Sequence, residues 1–295
     1  MSFTKKYVTL HSKMREMKKY VISLAALTLL FSSCASEFNR VYKTTDNDYK
    51  YEFAKECFAR GKFNQAITLL QELVTIQKGT DNAQECLYML AMAEYCDRDY
   101  ESASLTFKKY YQTYPKGIFA EQAAFYIGQS LFQSTPEPRL DQTSTVNAIS
   151  AYQDFLDFFP ESQLKDKAQS RMFDLTDKLV LKEYLSAKLY YNLGDYFGNC
   201  LDGGSNYEAC IITSENALKT YPFTKMREEF AVLIMKSKFE LAEQSVDEKR
   251  LERYRDAEDE CYGFLNEYPE SKEVASAEKY IKKCRKVIGE SSEEE

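Results

Sequence analysis

Small side chains recur at a fixed spacing along the first half of the chain. Ala54, Ala91 and Gly128 lie 37 positions apart. Each has an aromatic residue three positions before it and another four positions after it, which places all three side chains on one face of an α-helix. The period therefore predicts a repeated helical element with one apolar face. The aromatic positions are Tyr51, Phe58, Tyr88, Tyr95, Phe125 and Phe132.

A second small residue predicts a second helix in each unit. Ala66 and Ala103 follow the first small residue by 12 positions, whereas the corresponding Ala148 comes eight residues late. The inserted sequence around 133–141 contains two prolines, which cannot lie inside a helix. We expect paired antiparallel helices whose axes approach most closely at these small side chains, because a larger side chain would force the helices apart. The third pair should carry an inserted loop.

An aromatic residue followed by proline ends each later unit. Proline stops one helix, and the polar or small residues after it begin the next. About five helical hairpins result, followed by an amphipathic segment at 271–288 that would cap the stack. The charged tail, 289–295, is expected to be disordered. The aromatic-proline steps are Tyr114-Pro115, Phe159-Pro160, Tyr221-Pro222 and Tyr268-Pro269.

The predicted fold class is all-α, a helical-hairpin solenoid of about five repeats plus a C-terminal capping helix. Repeats 1–3 are expected over 46–160, and repeats 4–5 with the capping helix over 161–288. A single hairpin cannot bury its own apolar face, so neighbouring hairpins must stack to stabilise one another.

The repeats resemble the tetratricopeptide repeat, in which alanine, an aromatic residue four positions later and a final proline recur. The first repeat departs from this signature, with Lys78 in place of the proline. The fourth repeat is the weakest match. The matching positions are Ala103, Phe107 and Pro115, then Ala148, Tyr152 and Pro160, then Ala257, Cys261 and Pro269; the fourth repeat offers Cys210, Ser214 and Ala217 ahead of Pro222.

The N-terminal segment has the order of a secretory signal peptide. Lys18 and Lys19 precede an apolar run, 21–31, which is too short to span a bilayer. Residues 1–33 are therefore expected to be removed from the mature protein. Met17 opens the signal pattern compactly and is the expected start of translation.

The apolar run ends at Cys34, after two serines. This ending resembles the bacterial lipobox, which implies that Cys34 is acylated and that 34–45 is a lipidated linker. Several acyl chains on one residue would anchor the protein stably without spanning the membrane. The alternative is ordinary signal cleavage near Ser33 or Ala35, which would leave Cys34 without lipid.

Net charge and residue usage exclude several classes of function. Six of the 39 basic residues and one of the 46 acidic residues precede Cys34, so the remaining chain has a net charge near −12. Such a charge disfavours nucleic acid and anionic lipid headgroups as partners. The single histidine, His11, lies in the segment expected to be removed, which leaves no imidazole for a catalytic pair or for a histidine zinc site. We expect neither enzymatic activity nor a cofactor apart from the lipid on Cys34.

The eight cysteines show no C-x-x-C spacing and no metal-ligand spacing. Most are expected to be small core residues, because several fall on apolar helical faces. A disulfide between Cys57 and Cys86 is the open alternative.

The order of these features, a lipobox followed by about five tetratricopeptide-like units, resembles a family of lipoproteins of the outer-membrane β-barrel assembly machinery. The resemblance implies a lipid anchor in the outer membrane and a body that faces the periplasm. It also implies three kinds of partner: the barrel-forming assembly protein, companion lipoproteins and unfolded outer-membrane proteins. The alternative is another tetratricopeptide-repeat envelope lipoprotein that coordinates peptidoglycan or pilus assembly.

The aromatic positions of the first helices are the candidate site. In a two-helix solenoid these helices line one face, so their rings would form a stripe, with Met92 as an adaptable contact. We expect this stripe to receive an extended, aromatic-rich segment of an unfolded barrel protein. The alternative is that the rings form the core of the repeats. The candidate residues are Tyr51, Phe58, Tyr88, Met92, Tyr95, Phe125 and Phe132.

Overall fold

The computed structural model describes residues 37–194, 196 and 205–293. Cys34 and Cys200 lie outside these ranges. The described residues contain no β-strand, in agreement with the predicted all-α fold. After a short helical segment at 37–42 come α1 (Asn47–Ala59), α2 (Phe63–Ile76), α3 (Ala83–Cys96), α4 (Tyr100–Thr113), α5 (Ala120–Ser134), α6 (Thr143–Phe158), α7 (Lys165–Leu193), α8 (Asn206–Thr220), α9 (Arg227–Glu243), α10 (Asp247–Glu267) and α11 (Val274–Glu293).

The helices form two compact units. The first ends at Gln133 and the second begins at Ser134. This boundary falls inside the third predicted repeat and not at residue 160, because the inserted loop separates α5 from α6 along the chain. The loop itself occupies 135–142, close to its predicted position.

Helical hairpins build the first unit. Helix α1 packs against α2, α3 packs against α4, and α2 packs against α3. The repeated alanines are completely buried, as their predicted place at the closest helix approach requires. Aliphatic side chains of α2 complete the core between the hairpins. The buried alanines are Ala54, Ala66, Ala91 and Ala103; the core leucines of α2 are Leu69, Leu70 and Leu73.

The turns inside the first two hairpins have the same backbone conformation. Gly61 follows α1 and Arg98 follows α3, 37 positions later, with φ angles of 71° and 69°. Glycine adopts this left-handed conformation without strain, whereas arginine carries a Cβ that disfavours it. After Arg98, the Asp99 carboxylate accepts a hydrogen bond of 3.2 Å from the backbone N–H of Ser102 and caps α4.

Consecutive helices also pack together in the second unit, from α6 to α11, and α7 additionally contacts α9. Helix α7 is 29 residues long and supplies the first helix of the weak fourth repeat. Helix α11 buries Ala277, Ile281 and Cys284, which confirms the predicted capping stripe. Helix α11 is assigned as far as Glu293, and the disorder of the charged tail stays a prediction.

The four aromatic-proline steps end helices as predicted. The aromatic residue is the C-cap in each case, with φ between −129° and −123° and ψ between 59° and 65°. The following proline disfavours the helical conformation at this residue, so the helix ends here. The aromatic C-caps are Tyr114, Phe159, Tyr221 and Tyr268.

Most of the described cysteines are core residues, as predicted. Five are buried free thiols, and Cys96 is exposed. Burial raises the pKa of Cys86 and of Cys261 to about 12, so both remain protonated at neutral pH. The Cys57–Cys86 disulfide is not formed in this structure. The buried thiols are Cys57, Cys86, Cys210, Cys261 and Cys284.

Candidate functional site

The seven candidate residues all lie on α1, α3 and α5 of the first unit. Burial separates them into two groups. Tyr51 and Phe125 are 3% and 1% exposed, so they belong to the core and cannot offer a surface to a ligand. The other five keep part of their surface accessible: Phe58, Tyr88, Met92, Tyr95 and Phe132.

Tyr51 is held inside the first core cluster, together with Phe53 and Cys57 of its own helix. The Lys55 ammonium lies 4.9 Å from the centroid of the Tyr51 ring, one helical turn away. Burial, followed by the neighbouring Glu85 carboxylate, raises the pKa of the Tyr51 hydroxyl. Tyr51 is therefore a neutral core phenol.

Phe58 lies at the end of α1 and packs edge-on against Phe63 at the start of α2, with centroids 5.7 Å apart. The contact spans the turn that contains Gly61. Phe58 is only partly buried, so one side of the ring remains available at the end of the first hairpin.

Tyr88 is at the centre of an aromatic cluster between α3, α4 and α5. Its ring stacks on Phe119, with centroids 4.3 Å apart, and meets Phe107 and Tyr110 edge-on, each at 5.8 Å. Burial raises the pKa of the Tyr88 hydroxyl to about 12, so the phenol is neutral at physiological pH.

Tyr95 joins the same cluster two turns further along α3. Its ring packs edge-on against Tyr126, with centroids 5.1 Å apart, and Tyr126 in turn stacks on Phe107 at 5.3 Å. Met92 lies between Tyr88 and Tyr95 and packs against the same buried residues. The structure therefore brings these three candidates together in one continuous apolar cluster, hereafter the α3 ring cluster: Tyr88, Met92, Tyr95, Phe107, Tyr110, Phe119 and Tyr126.

The ring cluster is fixed by hydrogen bonds at its end. The Tyr110 hydroxyl accepts a hydrogen bond of 3.2 Å from the backbone N–H of Phe119 and donates to Gln84 Oε1 at 3.3 Å. These bonds hold the turn before α5 against α4. A rigid base of this kind keeps the partly exposed edges of Tyr88, Met92 and Tyr95 in a constant arrangement.

Tyr126 and Phe119 belong to the cluster but were not among the residues predicted from the sequence. Their spacing contains the signal: Phe119 and Tyr126 are seven residues apart, which places them on one helical face, as it does Tyr88 and Tyr95. The 37-residue period favours the neighbouring Phe125 instead, but this ring is buried in the core. On α5, Tyr126 completes the cluster.

The cluster offers a neutral surface of rings, a thioether and phenol groups. It can accept apolar or aromatic side chains and can hydrogen-bond to a backbone carbonyl. In the part of the chain that the structure describes, no three His, Cys, Asp or Glu side chains are placed to hold a metal ion. No helix within the described ranges is both long and apolar enough to cross a membrane.

Comparison with known families gives one match that covers more than half of the chain. Residues 43–200 match the family YfiO, described as an outer membrane lipoprotein. The match begins just before α1 and extends beyond the end of α7, so it includes the whole described α3 ring cluster.

Two curated relatives are similar over part of their length. Outer membrane protein assembly factor BamD of Caulobacter vibrioides is 21% identical over 178 residues, which are 59% of this chain and 58% of that protein. Putative outer membrane protein assembly factor BamD of Aquifex aeolicus is 27% identical over 136 residues, 46% of this chain and 43% of that protein. The chain therefore spans about half the length of the curated relatives it matches.

Among solved structures, this chain is similar to the TPR2AB domain of yeast Sti1 in its pHSP90 complex. The alignment covers 81% of this chain and 98% of the Sti1 chain, at 13% identity and a TM-score of 0.37. The assignment of the fold rests on the helical hairpins described above.

Proposed function

We propose, since this chain belongs to the YfiO family of outer membrane lipoproteins, that it is a lipid-anchored scaffold in the assembly of outer-membrane β-barrel proteins. The family match carries the proposal, and the two curated relatives named as assembly factors support it. The chain acts by binding partners and performs no catalytic step. It faces the periplasm from the outer membrane.

The anchor in this proposal is the lipid on Cys34. The first described core residue after it is Val41, which is completely buried in the first core cluster. Seven residues span at most about 25 Å when fully extended. The first unit would therefore stay within about that distance of the lipid surface.

The substrate in this proposal is an unfolded outer-membrane protein. A strand of such a protein alternates apolar and polar side chains. Aromatic residues lie where the strand crosses the two membrane interfaces. The exposed edges of Tyr88, Met92 and Tyr95 would receive the apolar side chains, with Phe58 and Phe132 as further contacts. Because the Tyr88 hydroxyl is neutral, this surface needs no counter-charge on the substrate.

The remaining partners are the barrel-forming assembly protein and companion lipoproteins. The resemblance to this family implies that the barrel-forming protein docks on the C-terminal half of the chain, which would here be the second unit. A chain of stacked hairpins presents long helical surfaces, so several partners can be bound at once.

Purification of the tagged full-length chain from membranes solubilised in mild detergent tests the proposal. We expect it to co-purify with a large integral β-barrel protein that carries periplasmic repeats. Co-purification with a peptidoglycan synthase in its place would support the alternative scaffold role and overturn the proposal.

The anchor has its own test. Labelled palmitate should mark the mature chain, and the Cys34→Ala variant should lose the label and leave the membrane fraction. A parent chain that stays unlabelled would contradict the lipidation.

A further inference from the structure

A cleft of about 450 Å³ lies along one face of α7 in the second unit. One lining residue, Arg139, comes from the inserted loop. Lys178 of α7 donates a hydrogen bond of 2.5 Å to Thr135 Oγ1 and ties the start of this loop to the helix. The lining residues, hereafter the α7 cleft, are Arg139, Lys182, Leu185, Ser186, Lys188, Leu189 and Asn192.

Three cations surround the cleft. Arg139, Lys182 and Lys188 form no ion pair within the part of the chain that the structure describes. This concentration of positive charge stands out because the chain from Cys34 onward carries a net charge near −12. The Asp141 carboxylate lies near Lys182, and it accepts a hydrogen bond of 3.0 Å from the backbone N–H of Thr143.

The floor of the cleft is apolar. Leu185 is partly buried, and Leu189 is 57% exposed although it is a large aliphatic side chain. Leu140, on the loop, is 58% exposed. Contiguous exposed apolar side chains with a polar rim mark protein–protein interaction sites.

The cleft length sets the size of its ligand. From Lys182 to Asn192 the helix rises about 15 Å, at about 1.5 Å per residue. An extended peptide advances about 3.3 Å per residue, so about five residues fill the cleft. Alternate side chains of such a peptide point to opposite sides, one set towards the leucines and the other towards the charged rim.

We propose that the α7 cleft binds a short acidic segment of a partner protein in extended form. Its apolar side chains rest on the two leucines, and its carboxylates pair with the three cations. The charge complementarity selects an acidic partner, and the apolar floor selects a peptide that alternates acidic and apolar residues. This binding goes beyond the scaffold function proposed above and does not depend on which complex the chain joins.

Fluorescence anisotropy with the purified full-length chain tests this binding. The probe is a dye-labelled peptide that alternates glutamate and leucine over five residues. Two control peptides replace the glutamates by lysines or the leucines by serines. The parent chain should bind the probe and neither control, and added salt should weaken the binding because the cations lie at an open rim.

The charge-reversal variant Lys182→Glu/Lys188→Glu should weaken binding of the probe by about tenfold or more. The matched control is Lys279→Glu/Lys282→Glu, which changes the net charge equally at two exposed positions of α11. It should leave the affinity within about twofold, and far-ultraviolet circular dichroism should give the same helix content for both variants.

Three outcomes would overturn the proposal: equal weakening by both variants, equal binding of the serine control peptide, and binding of phosphatidylglycerol vesicles but not of the peptide through the same lysines. Co-purification of the chain with a barrel protein is measured separately, so failure of one test leaves the other result intact.

Discussion

The rings of Tyr88 and Phe119 stack with their centroids 4.3 Å apart and their planes 12° from parallel. Tyr88 belongs to α3, and Phe119 immediately precedes α5, so the stack joins the second hairpin to the start of the third. This contact is closer than those of Tyr88 with Phe107 and Tyr110, at 5.8 Å each, and closer than those of Tyr126, at 5.1 and 5.3 Å.

Removal of the ring at Phe119 should destabilise the first unit. We expect Phe119→Ala to lower the free energy of unfolding by about 2 kcal/mol, because the variant loses both buried area and the stacked contact. Tyr88→Phe keeps the ring and should change stability by less than about 0.5 kcal/mol. Urea unfolding followed by circular dichroism measures both. Equal stability of the two variants would show that the stack contributes nothing.

The same cluster should contact substrate at its exposed edge. A photo-crosslinking residue at Met92 should capture an unfolded barrel protein in a reconstituted assembly reaction. The control position is Leu105 of α4, which is 64% exposed and lies outside the α3 ring cluster. Crosslinks of equal yield from both positions would contradict a specific surface.

Tyr95→Ala should weaken the affinity for the unfolded substrate by about fivefold, the loss of about 1 kcal/mol expected for one aromatic contact. Anisotropy of a labelled barrel-strand peptide measures this change. The Tyr95→Phe variant keeps the ring and should bind as the parent does. If Tyr95→Ala binds as tightly as the parent, α3 is not the contact surface.

The sequence could predict the hairpins because their signals are local. A buried alanine or glycine at each helix crossing leaves a small residue every 37 positions. Each aromatic-proline step ends a helix through the backbone of two adjacent residues. Neither signal depends on distant parts of the chain. The loop at 135–142 could be predicted as well, since its two prolines exclude a helix.

The sequence could not decide which aromatic rings are exposed. Phe125 and Tyr126 are neighbours on α5, yet Phe125 is 1% exposed and Tyr126 is only half-buried in the ring cluster. A rotation of the helix by one residue exchanges them, and this rotation is set by packing against other helices. The length of α7 was missed for a different reason: residues 161–193 contain no proline or glycine, but the fourth repeat lacks the usual signature.

Exchange of residues between the two equivalent turns should alter stability in opposite directions. Arg98 has a φ of 69°, so Arg98→Gly should raise the free energy of unfolding by about 0.5–1 kcal/mol through relief of backbone strain. Gly61→Arg, at the same position of the first hairpin, should lower it by about 1 kcal/mol. Thermal unfolding of both variants checks the sign. A stabilised Gly61→Arg protein would contradict the strain argument.

Removal of either partner of the ion pair between α1 and α2 should lower the free energy of unfolding, but by different amounts. Lys50 is 4% exposed and donates to both oxygens of Glu72, at 2.9 and 3.0 Å, whereas the Glu72 side chain is 42% exposed. Glu72→Gln leaves a buried ammonium without a counter-charge and should cost about 2 kcal/mol. Lys50→Met leaves a carboxylate that water can reach and should cost less than about 1 kcal/mol. Urea unfolding should rank them in this order, and the reverse order would contradict the burial of Lys50.

The buried carboxyl of Glu94 on α3 should make the stability of the protein depend on pH. Its side chain is 5% exposed, and Oε2 has no hydrogen-bond partner. Burial raises the pKa of this carboxyl, with a smaller contribution from Asp99, and a hydrogen bond from Thr106 opposes the shift only in part. The folded state therefore holds the Glu94 proton more tightly than the unfolded state does. Proton binding by Glu94 stabilises the fold fully below the pKa of the unfolded state, and this stabilisation is lost as the pH rises through the pKa of the folded state.

Glu94→Gln removes this titration and keeps the shape of the side chain. At pH 8 the variant should be more stable than the parent by about 1 kcal/mol, because the parent must bury a charged carboxylate there. Below the ordinary glutamate pKa of about 4.3 the two proteins should have equal stability, since the parent carboxyl is then neutral. The measurement is urea unfolding at a series of pH values. Glu101→Gln, at an exposed position of α4, is the control for the change of charge. A stability difference that stays constant from pH 4 to pH 8 would mean that Glu94 does not titrate in the core.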